Sequence, residues 1–196
     1  MSLRDTQAFF AARAAGWETR FPGDEPSYQQ AIRELAPANG GRALDAGCGT
    51  GRALTFLRAA VGAAGDVVGL DLTPEMLAEA HRLGRDQLAH LLVADGERLP
   101  FADGAFDAIL AAGFVPHLSK AEAGLAELAR VTRPGGRLAI FHPIGRATLA
   151  ARHGGTPSED DVTAPARLRT LLPAAGWAVD SIDDGADRYL ALARRV

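Results

Sequence analysis

The sequence predicts an α/β fold with a mostly parallel sheet that ends in an antiparallel hairpin. Between residues 42 and 142, short apolar strands alternate with segments that have helical apolar spacing. This alternation is typical of parallel strands joined by crossover helices. Near the C-terminus, two further strands, residues 177–182 and 188–193, are separated only by residues 183–187. A connection this short permits an antiparallel hairpin and excludes a crossover between parallel strands.

Composition and charge narrow the class of protein. The chain has 196 residues, a length that we expect to form one domain spanning residues 1–196. Its net charge is −3, and because phosphate binding needs clustered Lys and Arg, we expect no nucleic-acid partner. The single cysteine, Cys48, cannot form an internal disulfide or a zinc cage. The sequence has neither a signal-peptide pattern nor an apolar run of roughly 20 residues, so we predict a cytoplasmic protein with no membrane partner.

The first part of the chain, residues 1–41, is predicted to form a helical N-terminal cover. Residues 5–15 and 27–35 have the spacing of two helices. The segment between them, residues 16–26, contains two prolines and two glycines, which break helices. The strand-and-helix pattern begins only after this cover.

The central part, residues 42–143, is expected to bind the ligand. Ser119 is expected to cap a helix, with Glu122 completing a capping box. Residues 134–136, Pro-Gly-Gly, are predicted to form a turn before the last parallel strand. The predicted parallel strands are residues 42–46, 66–71, 91–93, 106–112 and 137–141.

The C-terminal part combines a loop, a helix and the hairpin. Residues 142–161 form the one long stretch without a regular pattern, and we assign residues 144–162 as a loop. A loop of that length in a compact domain is usually functional or disordered. Residues 163–196 are predicted to form a helix followed by the antiparallel hairpin.

A glycine-rich turn follows the first strand and carries the strongest functional signal. Asp45 precedes three glycines at alternating positions, Gly47, Gly49 and Gly51. Glycines at such a turn let the backbone approach a ligand closely and adopt conformations barred to other residues. Asp71 stands at the end of the next strand, where Rossmann-type sites place an acid that binds ribose hydroxyls. The order of strand, turn, helix, strand and acid therefore predicts a nucleoside-binding site.

These residues resemble motif I of the class I S-adenosylmethionine-dependent methyltransferases, written D/E-x-G-x-G-x-G. A dinucleotide dehydrogenase would need its third glycine at Arg52 instead. Further segments that resemble the family follow in unbroken order: residues 69–77 (GLDLTPEML), 93–101 (VADGERLPF), 106–109 (FDAI) and 128–136 (LARVTRPGG). The resemblance is closest to the subgroup that includes the ubiquinone and menaquinone C-methyltransferases. It implies a Rossmann-like three-layer sandwich around a seven-stranded sheet, with S-adenosylmethionine as cofactor and S-adenosylhomocysteine as product.

The resemblance also implies which residues bind the cofactor. Asp45 positions the glycine turn and the methionine amino group, Asp71 binds the ribose, and Asp95 meets the adenine amine. Leu72 and Leu99 are candidates for enclosing the adenine ring, although either leucine is equally explained as core. The full set of predicted cofactor-binding residues is Asp45, Ala46, Gly47, Gly49, Gly51, Asp71, Leu72, Asp95, Gly96 and Gly113.

Two histidines are candidates for acid–base catalysis. His117 follows the fourth strand and His142 ends the fifth, at the sheet edge where α/β proteins bind ligands. A histidine titrates near neutral pH and can take a proton from a hydroxyl or an acidic carbon, but a lone histidine is more often structural, capping a helix or satisfying a carbonyl. No carboxylate lies between Ile109 and Leu118, so no metal site is predicted.

The sequence does not identify the methyl acceptor, and it leaves two other functions as alternatives. The amine-binding Asn/Asp-Pro-Pro-Tyr/Phe pattern is missing after the fourth strand, which favours O- or C-methylation of a small molecule over N-methylation. Trp17, Arg20 and Tyr28 of the N-terminal cover are candidates for lining the acceptor site. The same motifs fit a sensor or partner subunit that binds the cofactor and transfers nothing. A nucleotide-dependent oxidoreductase fits less well because of the glycine spacing. The oligomeric state is not predicted.

Overall fold

A computed structural model describes residues 2–20 and 22–196 of the chain. Its strands are β1 Arg42–Ala46, β2 Asp66–Asp71, β3 His90–Val93, β4 Phe106–Ala112, β5 Thr132–His142, β6 Trp177–Asp184 and β7 Tyr189–Arg195. Its α-helices are α1 Leu3–Ala11, α2 Trp17–Arg20, α3 Glu25–Leu35, α4 Leu54–Val61, α5 Pro74–Arg82, α6 Ala121–Val131, α7 Arg146–Arg152 and α8 Pro165–Ala174.

The seven strands form one sheet in the order β3-β2-β1-β4-β5-β7-β6. The first five strands of the chain pair in parallel. β7 lies antiparallel to both β5 and β6, so it inserts between them. The predicted parallel sheet with an antiparallel hairpin is confirmed. The carboxyl ends of β1 to β5 all meet at one edge, which is where the glycine-rich turn and both candidate histidines lie.

Two hydrophobic cores cover the two faces of this sheet. On one face, Leu44 and Ile109 pack with residues of α6 and α8, including Leu125 and Leu168. On the other face, neighbouring strand residues such as Leu110 pack with residues of α3 and α4. Successive strand residues point to opposite faces, and both sets are buried, as expected for a sheet covered by helices on both sides. The result is the predicted three-layer arrangement.

The predicted N-terminal cap of helix α6 differs from the one in the structure. The N-cap of α6 is Lys120, and Ser119 does not form the predicted capping box with Glu122. The Ser119 hydroxyl instead donates a hydrogen bond of 2.7 Å to the carboxylate of Glu97, which also accepts from the Lys120 amide. A charged acceptor competes well for these donors because charge-assisted hydrogen bonds are the stronger ones. At the start of the chain, Ser2 and Asp5 form a capping box for α1 that the sequence prediction missed.

Three irregular segments contain more structure than predicted. The helix-breaking segment of residues 16–26 includes α2 and the first two residues of α3. The predicted turn at residues 134–136 lies within β5, at a point where the pairing with β4 shifts register. The region assigned as a loop, residues 144–162, contains α7. Within the described part of the chain, no helix has the length and apolar character needed to cross a membrane.

Candidate functional site

A cavity of about 440 Å³ lies across the carboxyl ends of the parallel strands. The carboxyl ends of β1 to β5 and the loops that follow these strands line it. The N-terminal cover and α7 close the remaining sides. Of the predicted site residues, the lining includes Asp45, Gly47, Gly49, Asp71, Leu72, Asp95, Gly96, Gly113, His117 and His142. Ala46 and Gly51 do not line it.

The glycine-rich turn, residues 47–51, forms the floor beside β1. Gly47 and Gly49 have φ angles of 71° and 55°, in the left-handed region that favours glycine. The Gly49 amide donates a hydrogen bond of 2.9 Å to the Asp71 carboxylate. Gly51 instead faces α4, since a Cβ there would lie 2.7 Å from Leu54. Ala46 is fully buried in the core below the turn. Ala46 and Gly51 therefore contribute to the shape of the turn.

Asp71 ties two of the loops together at the end of β2. One carboxylate oxygen accepts from Gly49, and the other accepts a hydrogen bond of 2.8 Å from the Thr73 amide. Burial raises the pKa of Asp71, and these backbone donors counteract part of that rise. Each carboxylate oxygen can accept more than one hydrogen bond. The carboxylate can therefore hold the loops and still accept bonds from a diol in the cavity.

Asp45 is a buried carboxyl group with an unused acceptor. Its side chain is 1% exposed, and its Oδ1 atom has no hydrogen-bond partner among residues 2–20 and 22–196. Burial, reinforced by the charge of Asp71, raises the pKa of Asp45 to about 7. A buried polar atom without a partner is unfavourable unless a ligand supplies one. Asp45 is therefore suited to a cationic donor such as an ammonium group.

Tyr28 of α3 lies on the same side of the cavity as Asp45. Its ring packs edge-on against Phe141, with 5.0 Å between ring centroids. Burial and the nearby charges of Asp24 and Asp45 raise the pKa of Tyr28 above its usual value. Its hydroxyl forms no hydrogen bond with any residue that the structure describes. The sequence suggested Tyr28 for the acceptor site, but its neighbours place it beside the buried carboxyl group.

Phe114 occupies a position that the sequence prediction missed. A Cβ added to Gly96 would lie 2.3 Å from the Phe114 ring, and one added to Gly47 would lie 2.7 Å from it. The ring thus packs against both the glycine-rich turn and the loop after β3. Leu72 also lines the cavity, whereas Leu99 is 4% exposed and belongs to the core. Phe114 therefore lies beside the cavity as an apolar wall, the position for which Leu99 was a candidate from the sequence.

Asp95 lines the cavity after β3, and its carboxylate keeps acceptor capacity. Its Oδ1 atom accepts a hydrogen bond of 2.9 Å from the Glu97 amide within the same loop. This is the local turn geometry expected of an aspartate at such a position. The other carboxylate oxygen accepts no hydrogen bond from the residues described by the structure, so it can accept one from a ligand.

The two candidate histidines face the same cavity. Burial lowers the pKa of His117, and the charge of His142 lowers it further. The pKa of His142 is also lowered, mainly by burial. The Nδ1 atom of His142 lies 2.9 Å from the Ile144 carbonyl oxygen and 3.2 Å from its amide nitrogen. The His117 ring packs edge-on against Phe10, 4.9 Å between centroids. Both imidazoles are therefore held in place and favour the neutral form, as a general base requires.

The N-terminal cover is tied to the loops that carry the glycines and Asp71. The Gln7 side chain donates to the Leu72 carbonyl at 3.2 Å. The Glu18 carboxylate accepts from the Thr50 hydroxyl and forms an ion pair with Arg85. Asp24 forms an ion pair with Arg52. The cover brings apolar and aromatic side chains into the cavity, among them Leu3, Phe9, Phe10 and Trp17.

The described residues contain no cluster of three or more His, Cys, Asp or Glu side chains that could hold a metal ion. The titratable side chains that line the cavity include carboxylates near the ends of β1, β2 and β3 and imidazoles near the ends of β4 and β5. The first set can hold hydroxyl, amine and ammonium donors. The second can accept a proton from a molecule bound between the cover and α7.

Comparisons with known proteins agree with this arrangement. A family model described as a methyltransferase domain matches residues 44–140. An O-methyltransferase of Penicillium expansum is 32% identical over 171 residues, covering 83% of this chain and 60% of that protein. A demethylmenaquinone methyltransferase of Parafrankia sp. (strain EAN1pec) is 40% identical over 185 residues, covering 84% of this chain and 66% of that protein. The chain thus spans less than two thirds of the length of each of these relatives.

The fold agrees with solved structures as well. A SAM-dependent methyltransferase from Aquifex aeolicus superimposes with a TM-score of 0.72 at 25% identity, covering 86% of this chain and 89% of that one. This agreement confirms the Rossmann-like fold. Sequence match, fold and the order of the glycines and acids lead to one conclusion: the chain belongs to the class I S-adenosylmethionine-dependent methyltransferases.

Proposed function

We propose that the protein transfers a methyl group from S-adenosylmethionine to a small, largely apolar acceptor that bears a hydroxyl group or an acidic carbon. The observation that carries this proposal is one cavity lined by three carboxylates and two histidines. The carboxylates are Asp45 in β1, Asp71 at the end of β2 and Asp95 after β3, and the histidines, whose pKa values are lowered, are His117 after β4 and His142 at the end of β5. The relatives named O-methyltransferase and demethylmenaquinone methyltransferase support a small-molecule acceptor. A cytoplasmic location and a single-domain organisation stay predictions of the sequence.

The residues present fit the cofactor. The unpartnered oxygen of Asp45 suits the methionine ammonium group, and the hydroxyl of Tyr28 offers a second polar contact there. Asp71 suits the ribose diol, and Asp95 suits the adenine amine. Leu72 and Phe114 provide apolar walls between these carboxylates. Ala46 and Gly51 would shape the binding turn without touching the ligand.

We place the acceptor beside the residues that end or follow β4 and β5, a part of the cavity that we call the acceptor end. Its walls come from the cover, from the loop that holds His117 and from the segment after β5, with Phe9, Phe10, Leu118, Pro143 and Leu149 among them. Most of these side chains are apolar, which favours an acceptor that is itself mainly apolar. Gly113, beside the acceptor end, donates its amide to the Phe141 carbonyl at 2.8 Å and so fixes the path of this loop.

The chain's own residues would orient the reactants, exclude water and accept a proton. When bound, S-adenosylmethionine supplies a methyl group on a positively charged sulfur. This sulfur is a good leaving group because it becomes a neutral thioether. His117, kept neutral by burial, would accept the proton of the acceptor's hydroxyl or acidic carbon. His142 is the alternative base at the same end. The aromatic cover over the cavity would exclude water and hold the acceptor in line with the methyl group.

The test combines a binding measurement with a transfer assay. Calorimetry with S-adenosylhomocysteine and NAD should show binding of the first and none of the second. The protein should then methylate members of a panel of phenol, catechol, 1-naphthol and 1,4-naphthoquinol, followed by mass spectrometry of the product. Binding of S-adenosylhomocysteine without methylation of any compound would favour a cofactor-binding protein that transfers nothing. Binding of NAD alone would overturn the proposal.

A further inference from the structure

Helix α7 closes the acceptor end although it lies outside every motif that marks the cofactor site. It follows His142 and Pro143 along the chain, and its residue Leu149 lines the cavity. His153, directly after the helix, lines the cavity as well. The helix has only seven residues, and a helix this short is not stable alone in water. Its position must therefore be set by tertiary contacts.

Arg146, the first residue of α7, makes most of these contacts. The residue is 8% exposed. Its guanidinium group forms an ion pair of 3.0 Å with Asp184 at the end of β6 and donates to the Ser158 carbonyl at 2.5 Å. A longer ion pair of 3.9 Å reaches Asp161. The Arg146 backbone amide also donates to Asp184 at 3.3 Å. One buried cation thus joins the start of α7 to β6 and to the segment that follows the helix.

The turn between β6 and β7, residues 185–188, supports the same end of the helix. The Gly145 amide and the Thr148 hydroxyl both donate to the Ala186 carbonyl, at 3.2 Å and 2.9 Å. A Cβ on Gly145 would lie 1.6 Å from the Gly185 carbonyl oxygen, so only glycine permits this close contact. The start of α7 is therefore fixed on the hairpin turn, while Leu149 at the middle of the helix and His153 just after it reach the cavity.

From these contacts we propose that Arg146 is a positioning residue that selects the acceptor by holding α7 on the β6–β7 turn. The inference rests on the proposed function, because the selected molecule is the methyl acceptor. Arg146 does not line the cavity and does not touch the reacting atoms. It acts through Leu149, whose place sets how large an acceptor the cavity admits. The C-terminal hairpin, remote from the glycines and Asp71, thereby controls acceptor size without affecting cofactor binding.

Arg146→Lys tests this inference because it keeps the charge and loses the planar fork that binds Asp184 and Ser158 together. The matched control is Arg194→Lys, since Arg194 pairs with Asp180 across the same hairpin at 2.9 Å but contacts nothing in α7. Hydrogen exchange of residues 146–152 should become about tenfold faster in Arg146→Lys and stay unchanged in the control. Asp184→Asn should reproduce the effect.

Kinetics with phenol and 1-naphthol as probes give the second readout. In Arg146→Lys, the ratio of KM values for the two probes should change at least about fivefold, while S-adenosylhomocysteine affinity stays within about twofold of wild type. Unchanged exchange of α7, or a KM ratio equal to that of the control, would overturn the inference. A parallel loss of cofactor affinity would also overturn it, because it would indicate general loosening. If the wild type methylates neither probe, catechol and 1,4-naphthoquinol replace them. Methylation of none of the four compounds would contradict the proposed transfer activity, and the exchange rates would still decide whether Arg146 holds the helix.

Discussion

The carboxylate of Glu18 accepts a hydrogen bond of 2.5 Å from the hydroxyl of Thr50, in the middle of the glycine-rich turn. Arg85 completes the contact, with bonds to both Glu18 oxygens and to the Thr50 carbonyl. The N-terminal cover is thus fastened to the turn that would hold the cofactor. Burial raises the pKa of Glu18, but the bonds from Arg85 and Thr50 outweigh it and keep that pKa below its usual value.

Glu18→Gln should therefore loosen the cover and speed the release of bound product. The amide loses the ion pair with Arg85, and we expect S-adenosylhomocysteine to dissociate roughly three- to tenfold faster. Stopped-flow displacement measures this rate directly. The control is Asp180→Asn, which removes an ion pair with Arg194 far from the cover. Equal rates in the two variants would mean that the cover does not gate release.

Cofactor affinity should depend on the ionisation of Asp45. Its raised pKa of about 7 means that the free protein holds this carboxyl group neutral below that pH. Because an ammonium group binds the ionised form, S-adenosylhomocysteine affinity should rise about tenfold between about pH 6 and pH 8. The thioether 5′-methylthioadenosine lacks the amino-acid part and should show no such rise. Calorimetry of both ligands, and of Asp45→Asn, checks the prediction; the same pH dependence in the variant would contradict it.

The raised pKa of Asp45 also predicts how the stability of the ligand-free protein depends on pH. A carboxyl group with a raised pKa in the folded state stabilises the fold while it is protonated, and this contribution is lost as pH rises through about 7. Asp45→Asn should remove that loss, so the stability difference between variant and wild type should grow in the variant's favour from about pH 4, where the unfolded carboxyl group ionises, to about pH 7, and level off above it. Denaturant titrations at several pH values measure it, and a constant difference would rule out Asp45 as the source.

Asp71→Asn should weaken cofactor binding and also destabilise the loops. An amide nitrogen cannot accept a hydrogen bond, so either Gly49 or Thr73 loses its partner. The charge-assisted bonds to the ribose are each worth roughly 1.5–3 kcal/mol, so affinity for S-adenosylhomocysteine should fall at least about tenfold. 5′-Methylthioadenosine should lose affinity equally, in contrast to the Asp45 variant. Unchanged affinity for either ligand would show that another group holds the ribose.

His117→Ala should reduce turnover by about 10²–10⁴ and leave S-adenosylhomocysteine affinity almost unchanged. Since burial and the charge of His142 lower the pKa of His117 below 6.5, the wild-type rate should fall only as pH drops below that value. The control is His81→Ala, because His81 is a surface histidine with a side chain 74% exposed. Near-normal turnover with a lower melting temperature would assign His117 a structural role and leave His142, tested by the same substitution, as the base.

The sequence predicted which residues meet near β1 and β2 better than it predicted the neighbours of Arg146 and Phe114, for a physical reason. The positions of Asp45, Gly49 and Asp71 depend on local features: a strand, a tight turn and the end of the next strand. Strand ends meet at one edge of a parallel sheet whatever the loops do. The relative placement of these residues could therefore be inferred before the structure was known.

The acceptor end and the Phe114 wall beside the glycine-rich turn both depend on contacts between distant parts of the chain. Arg146 contacts Asp184, and Phe114 contacts both Gly47 and Gly96. No periodicity or motif encodes such pairs, so the sequence pattern predicts a loop where α7 lies and does not single out Phe114. Ser119 was misassigned for the same reason, because its partner, Glu97, comes from another loop. An aromatic residue next to Gly113, just past β4, was the one local signal that pointed to Phe114.

The contacts of Phe114 make two distant glycines depend on one aromatic ring. Gly96 has no unusual backbone angle, and the ring alone forbids a side chain there. Gly47 is constrained twice, by the ring and by its φ of 71°. Alanine at position 96 should therefore be accepted once Phe114 has been replaced by a smaller residue, whereas alanine at position 47 should remain unfavourable in either background. During divergence, the order of substitutions then matters: position 114 must change before position 96 is free to vary, an epistatic dependence between loops that are not neighbours in sequence.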